Sequence, residues 1–268
     1  MGFFYISFLA LIQGITEFLP ISSSGHLVAI SQILGEPNHN LNLDISIHFG
    51  SLLAVILYFR KDVLSLISGL FSIIRLETDS ANAKFFLLLI MATMPVTIAG
   101  FFVKFTGLST NFRSIEVIGF TMIIFGLILL FADKKGRKNR YQDSWSYKDA
   151  LIMGFLQCLA LVPGTSRSGI TITGALALGF SRESSTRLSM LMSIPTILAS
   201  GILLTFDLAY FDKEVYSLNR LALATSLSFL SALLALSVLI RYIKYKNFTP
   251  FVAYRVLFGV LLLYLAYM

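Results

Sequence analysis

The stretch FLALIQGITEFLPISSSGHL, residues 8–27, places polar groups in the middle of apolar sequence. Gln13 and Glu17 are four residues apart, so a helix would put both side chains on one face. Pro20 would end that helix, and the SSSGH run at residues 22–26 does not favour its continuation. A carboxylate, an imidazole and three hydroxyls are costly to bury in a bilayer, so such groups are candidates for function.

A second stretch, LIMGFLQCLALVPGTSRSGITITG at residues 151–174, repeats this design. An apolar segment containing Gln157 meets Pro163 and Gly164, and the polar run TSRSG follows at residues 165–169. Pro-Gly is a strong turn signal, so this segment is also predicted to break in its middle. We expect the rest of the chain to hold the two broken segments against each other.

The composition indicates an integral membrane protein. Of 268 residues, 56% are apolar and only 13% are charged, whereas about a quarter are charged in a typical soluble domain. The single cysteine, Cys158, excludes an intrachain disulfide. The formal net charge of +7 comes from basic residues in short loops between apolar segments, which indicates membrane topology and no nucleic-acid partner.

Six apolar segments are long enough to cross the hydrocarbon core, which takes about 20 residues of helix. They lie at residues 44–60, 84–105, 114–132, 186–206, 220–242 and 250–267. Residues 61–75 are predicted to form an interfacial or extending helix, because Arg60, Lys61 and Asp62 interrupt the apolar pattern.

The two broken segments, residues 3–35 and 149–181, are predicted to be re-entrant helix–loop–helix hairpins. Each splits at its proline into halves of roughly 16 residues, which is short for a full span. Irregular backbone is tolerated at membrane depth where it is buried in protein or lines a wet cavity.

The order of segments is a hairpin and three spans, twice over. FGLILLFA at residues 125–132 resembles FGVLLLYLA at residues 258–266, and each stretch ends its half. Three spans per half would insert the second copy upside down, as in known inverted repeats with broken helices. We therefore predict an all-α integral membrane protein with an inverted-topology repeat in one membrane domain, residues 1–268. Repeat one covers about 1–133, a basic cytoplasmic loop 134–148, and repeat two about 149–268.

Loop charges predict the orientation. Most of the 21 Lys and Arg residues fall on the side that contains the loop 134–148, and the opposite side carries acidic residues. By the positive-inside rule, this loop is cytoplasmic and both termini are outside. The first hairpin would then enter from outside, so we expect the cleft of the site to open outward.

The PGTSRS motif at residues 163–168 predicts a phosphate site. Backbone N–H groups in a turn that leads into a helix form an anion-binding concavity, and Gly164, Ser166 and Ser168 would belong to it. Arg167 adds a planar fork that matches phosphate, and Thr171 lies one helical turn further on. A helix break lined with small residues for close packing would explain the serines and glycines, but not an arginine at this depth.

Glu17 and Gln13 allow several roles. Their oxygens would coordinate a hard divalent cation, the usual companion of a phosphate group. Glu17 would alternatively act as a general base or pair with Arg167, and Gln13 would simply hydrogen-bond between helices. In the first loop, His26 follows Ser23 by three residues, and a serine next to an imidazole is a recognised nucleophile arrangement. Ser22 and Ser24 are expected to add phosphate contacts.

The motifs QGITEF (13–18), SSSGH (22–26) and PGTSRSGIT (163–171) resemble the signatures of the undecaprenyl-diphosphate phosphatase family of the bacitracin-resistance type. The resemblance implies removal of the terminal phosphate from a C55 isoprenyl diphosphate, which recycles the lipid carrier of cell-wall synthesis. It also implies a divalent cation, Mg or Ca, in a plasma-membrane enzyme. Relatives commonly carry Glu where this chain has Gln13. By the same resemblance, Glu17, Ser23, His26 and Arg167 would be catalytic.

We expect an enzyme that binds the diphosphate between the two loops, with Ser23 as nucleophile and His26 as base and then acid. Direct attack by water activated at Glu17 or His26 is the alternative mechanism. The alternative function is a polyprenyl-phosphate transporter or flippase, because carriers are built on the same inverted repeat. Expected partners are the polyprenyl diphosphate substrate and membrane lipids, and a homodimer is left open.

Overall fold

The computed structural model describes residues 3–33, 41–107, 112, 114–211 and 217–268, and these residues form helices and no β-strand. The described helices follow one another without interruption by any other regular element except short 3₁₀ turns. They are α1 (Phe3–Phe18), α2 (Ser23–Ile33), α3 (Leu41–Tyr58), α4 (Arg60–Ile74), α5 (Ala81–Thr106), α6 (Ile115–Lys135), α7 (Tyr147–Cys158), α8 (Arg167–Ala177), α9 (Arg182–Phe211), α10 (Leu218–Tyr245) and α11 (Thr249–Tyr267).

Six of these helices, α3, α5, α6, α9, α10 and α11, are long and apolar enough to cross a membrane. Each coincides with one of the six predicted spans. The protein is therefore a multi-pass, all-α integral membrane protein, as composition and segment length predict. Helix α4 occupies the predicted extension at residues 61–75.

Both predicted breaks are confirmed. Helix α1 ends at Phe18, just before Pro20, and α2 begins at Ser23; α7 ends at Cys158, and α8 begins at Arg167 after the Pro163 turn. The four half-helices have 16, 11, 12 and 11 residues, each short of the about 20 residues that a span needs. Residues 34–35, the predicted end of the first broken segment, lie outside the described residues.

Close backbone contacts hold the first helix of each broken segment against a long helix. A Cβ atom added at Gly14 of α1 would overlap Ser231 Oγ and the Ser228 carbonyl of α10. A Cβ added at Gly154 of α7 would lie 2.7 Å from the carbonyl oxygen of Ala92 on α5. Small residues of this kind let helix backbones approach closely in membrane proteins.

At the rim on the basic-loop side, Arg140 fixes the start of α7. Its guanidinium donates to both Asp149 carboxylate oxygens, at 3.0 and 2.6 Å, and to the Leu178 carbonyl at 3.1 Å. Burial alone would raise the pKa of Asp149, but the hydrogen bonds from Arg140 and Ser146 outweigh it and hold this pKa below its usual value. Ser146 and Asp149 also form a capping box, so α7 begins at a defined residue.

Candidate active site

The two loop tips, defined here as residues 19–26 and 163–170, meet inside the helix bundle. Ser168 Oγ of the second tip donates to the Leu19 carbonyl of the first at 3.0 Å. A Cβ at Gly25 would lie 3.4 Å from Gly164 Cα, so the backbones are nearly in contact there. The two polar motifs therefore meet as predicted, although the contacting residues Leu19 and Ser168 are 149 residues apart in sequence.

Both tips have the same local backbone. Ser22 and Ser166 adopt the left-handed region, with φ of 73° and 71°. Each caps the helix that follows: Gly25 N–H donates to Ser22 Oγ at 3.3 Å, and Gly169 N–H donates to Ser166 Oγ at 3.1 Å. A non-glycine residue held at positive φ is strained, and such strain clusters at functional sites. The shared S-x-S-G pattern was the signal for this match in the sequence.

Each tip presents backbone N–H groups that the described structure leaves without a hydrogen-bond acceptor. They belong to three consecutive residues in each tip: Ser22, Ser23 and Ser24, and Ser166, Arg167 and Ser168. The first N–H groups of a helix have no partner within that helix. Two helix N-termini whose tips lie in contact therefore form a site suited to an anion.

Glu17 is the centre of the polar network between the tips. Its Oε1 accepts from Arg167 Nη2 at 2.6 Å, and its Oε2 accepts from Ser23 Oγ at 2.7 Å and from Gln13 Nε2 at 2.9 Å. The side chains of Glu17 and Arg167 are only 8% and 13% exposed. The pairing with Arg167 was one of three roles considered for Glu17, and it is the contact that the structure contains.

Arg167 and Thr171 also contact α9. Arg167 Nη1 donates to the Ser189 carbonyl at 3.4 Å, and the Thr171 and Ser189 hydroxyls are 2.6 Å apart. Thr171 is fully buried, and its hydroxyl also donates to the Arg167 carbonyl at 2.9 Å. Thr171 thus supports the helical turn that carries Arg167. Ser189 was not identified from the sequence, where it is one of several serines in α9.

The expected hydrogen bond between Ser23 and His26 is not formed, which corrects the sequence-based pairing. His26 Nδ1 lies 2.7 Å from the Ser22 carbonyl, and Nε2 lies 2.6 Å from the hydroxyl of Tyr254 on α11. The ring also stacks on Phe258 with a centroid distance of 4.6 Å. Ser23 turns instead to the Glu17 carboxylate, because a hydrogen bond to an ionised acceptor is stronger than one to a neutral ring.

The oxygen atoms near Glu17 suit a hard cation only in part. Among the described residues, no group of three or more His, Cys, Asp or Glu side chains is placed to hold a metal. Gln13 Oε1, however, is a buried acceptor with no partner in the described part of the chain. One amide oxygen and one carboxylate would need phosphate oxygens to complete a coordination shell for Mg²⁺ or Ca²⁺.

The model of the family "Bacitracin resistance protein BacA" matches residues 6–261. The chain belongs to the BacA family. Proteins named undecaprenyl-diphosphatase from Roseobacter denitrificans and Jannaschia sp. are each 49% identical to it over 267 residues, and one from Ruegeria pomeroyi is 48% identical, all with 100% of both chains covered.

The BacA chain contains two further polar residues near the tips that sequence reasoning missed, Tyr254 and Arg255, both on α11. Tyr254 fixes the orientation of His26 through the hydrogen bond described above. Arg255 is fully buried and donates to the carbonyls of Gly164 and Thr165 in the second tip, at 3.0 and 2.9 Å. The signal for Arg255 was its position as a lone arginine in the apolar segment 250–267, the same anomaly that pointed to Arg167. Tyr254 had no such signal.

Proposed function

We propose that the protein hydrolyses undecaprenyl diphosphate to undecaprenyl phosphate and inorganic phosphate. This reaction would recycle the lipid carrier of cell-wall synthesis and confer bacitracin resistance. The observation that carries the proposal is the buried Glu17–Arg167 pair, which joins two adjacent tips that each carry free N–H groups. The names of relatives that match the whole chain at 48–49% identity support it.

Arg167 and the six free N–H groups would bind the diphosphate between the tips. A guanidinium fork pairs well with phosphate oxygens, and fixed donors stabilise the charge that spreads over the transferring phosphoryl group. The C55 chain would leave the site sideways among apolar helices. Membrane lipids would surround the helix bundle. Whether two copies of the chain associate as a homodimer is left open.

Ser23 would attack the terminal phosphorus through Oγ, and its proton would pass to Glu17, to which it already donates. The bond between phosphorus and the bridging oxygen would break, and undecaprenyl phosphate would leave with that electron pair. Water would then hydrolyse the phosphoserine. Glu17 would return its proton to Ser23 Oγ as the P–O bond breaks. His26 would take the proton of the water through the Tyr254 hydroxyl, because both of its ring nitrogens are already hydrogen-bonded. Glu17 thus replaces His26 as the first base.

The test of the function is phosphate release from undecaprenyl diphosphate by the purified chain in detergent. We expect turnover with the lipid diphosphate and accumulation of undecaprenyl phosphate in equal amount. Binding of the lipid without any phosphate release would contradict the proposal and would favour the transporter.

We further propose the inverted repeat, with halves at about 1–133 and 149–268. The positive φ that Ser22 and Ser166 share supports the repeat. The helix packing supports it too: α1 packs on α10, and α7, the counterpart of α1 in the second half, packs on α5, the counterpart of α10 in the first half. From the basic loop 134–148 we also propose that the protein lies in the plasma membrane with both termini outside and the cleft of the site open outward.

Thiol labelling checks the orientation, because Ser24 is exposed while Ser22, two residues away, is 1% exposed. On a Cys158→Ser background, Ser24→Cys is expected to react with a membrane-impermeant reagent added outside intact cells. Ser22→Cys is the matched control and should react far more slowly. Labelling of Ser24→Cys only from the cytoplasmic face would overturn the orientation, and labelling from both faces would support alternating access.

We also propose that a divalent cation, Mg²⁺ or Ca²⁺, acts with this site. Gln13 and Glu17 would hold it, with phosphate oxygens of the substrate as further ligands. Such an ion supplies positive charge against the diphosphate. The unpartnered Gln13 Oε1 supports this assignment.

Chelation tests the cation. EDTA is expected to abolish turnover, and added Mg²⁺ or Ca²⁺ to restore it. Gln13→Glu should lower the metal concentration for half-maximal activity by about ten-fold, because the site gains a carboxylate. Gln157→Glu, which adds a carboxylate to the second hairpin instead, should leave that concentration unchanged. Full activity after thorough chelation would remove the metal from the mechanism.

A further inference from the structure

Arg255 is a fully buried guanidinium that contacts no carboxylate in the described part of the chain. Its hydrogen bonds go to backbone carbonyls only. Nε donates to Met122 on α6 at 3.1 Å, and Nη2 donates to Gly164 and Thr165 in the second tip. A buried charge without a counter-ion is costly in a membrane protein, so a structural contact alone is a poor explanation for it.

We propose that Arg255 is a positioning residue that orients the free Ser166 N–H group of the second tip toward the phosphate of the substrate. This inference rests on the proposed function, because it assigns a role within the same site. In a planar trans peptide, the C=O and N–H bonds point in opposite directions, and no cis peptide occurs in the described chain. By holding the Thr165 carbonyl, Arg255 turns the N–H of Ser166 to the opposite side, away from α11.

Arg255 also opposes the backbone strain of this tip. Gly164 and Ser166, on either side of Thr165, have φ of 89° and 71°. A serine leaves the left-handed region unless its surroundings hold it there. Arg255 Nη2 donates hydrogen bonds to the carbonyls of Gly164 and Thr165, which lie between the two Cα atoms with positive φ. These bonds therefore help to keep the tip in its anion-binding conformation.

The charge of Arg255 adds to this effect. Glu17 and Arg167 cancel one another, so Arg255 leaves the region of the tips with a net positive charge. Its Nη1 has no hydrogen-bond partner among the described residues, and a Cβ added at Gly169 would lie 2.8 Å from it. Gly169 therefore leaves room for the Arg255 guanidinium behind the second tip. There the positive charge of the guanidinium would attract the negative charge of a diphosphate.

The test is the affinity of the full-length protein for inorganic pyrophosphate, measured by titration calorimetry beside the thermal unfolding temperature. Arg255→Lys keeps the charge but cannot hold both carbonyls in the same way. We expect pyrophosphate affinity to fall by about 10-fold to 100-fold, the loss typical of charge-assisted hydrogen bonds. Turnover of the lipid diphosphate should fall in kcat as well as rise in KM.

Arg140→Lys is the matched control, since Arg140 also donates to a backbone carbonyl, although its side chain is 31% exposed and lies away from the tips. It should lower the unfolding temperature and leave pyrophosphate affinity within about two-fold. If Arg255→Lys does not fold, Gly169→Ala decides, because its methyl group would displace Nη1 and should weaken pyrophosphate binding.

Unchanged pyrophosphate affinity in a folded Arg255→Lys, or in Gly169→Ala if that variant has to decide, would overturn the inference. Absence of pyrophosphate binding by the unmodified protein would overturn it as well. The proposed function is judged separately, by phosphate release from undecaprenyl diphosphate in the unmodified protein.

Discussion

Arg167→Ala is expected to reduce phosphate release from undecaprenyl diphosphate by about 10³-fold or more, the loss seen when a charged donor is removed from a transferring phosphoryl group. The protein should still insert, but its unfolding temperature should fall, because Glu17 loses its buried counter-ion. Arg167→Lys should also be severely impaired, since an ammonium group does not reproduce the planar fork. Initial rates in detergent, with the unfolding temperature beside them, make the measurement.

Arg187→Ala provides the control for this variant. Arg187 also forms an ion pair of 2.6 Å, with Asp62, but its side chain is 48% exposed and lies away from the tips. Its loss should leave turnover nearly unchanged, because exposed ion pairs contribute little. Normal turnover in Arg167→Lys would show that the arginine does not act as a fork.

Ser23→Ala has the second large expected effect, on the order of 10⁴-fold in kcat if Ser23 is the nucleophile. The hydroxyl that would form the phosphoserine is then missing, while Glu17 keeps its contacts with Arg167 and Gln13. Acid quenching of the unmodified enzyme with a substrate labelled in its terminal phosphate should trap labelled protein. The Ser23→Ala variant should trap none.

Ser31→Ala lies on the same helix and serves as the control. The Ser31 hydroxyl is 3.3 Å from that of Tyr5, far along α2 from the tip, so its removal should leave both turnover and labelling intact. A loss of less than about ten-fold in Ser23→Ala, without any trapped label, would point to direct attack by water.

Much of the fold follows from the sequence because membrane insertion depends on local properties. Segment length and hydropathy located the six spans, and Pro20 and Pro163 located the two breaks. The cost of burying Glu17 and Arg167 indicated where the site would be. These signals need no knowledge of which helices are neighbours.

The partners of individual polar atoms could not be predicted in this way. Helical spacing predicted a hydrogen bond between Ser23 and His26. The Ser23 hydroxyl instead donates to the carboxylate of Glu17, which belongs to the preceding helix. Tyr254 and Arg255 are more than 85 residues away from the atoms that they contact, and only the packing of α11 brings them there. The positive φ of Ser22 and Ser166 depends on the same long-range packing.

The glycine contacts of the hairpins limit how this bundle can move. At Gly14 and Gly154 the helix backbone lies close against the neighbouring helix, including the carbonyl oxygens of Ser228 and Ala92, so α1 slides along α10, or α7 along α5, only if the helices first separate. Each tip therefore follows a helix that is firmly packed on a long helix, α1 on α10 and α7 on α5. The Glu17–Arg167 ion pair connects these two helix pairs. We expect this arrangement to hold Ser23 and Arg167, which both contact the Glu17 carboxylate, at a nearly fixed separation.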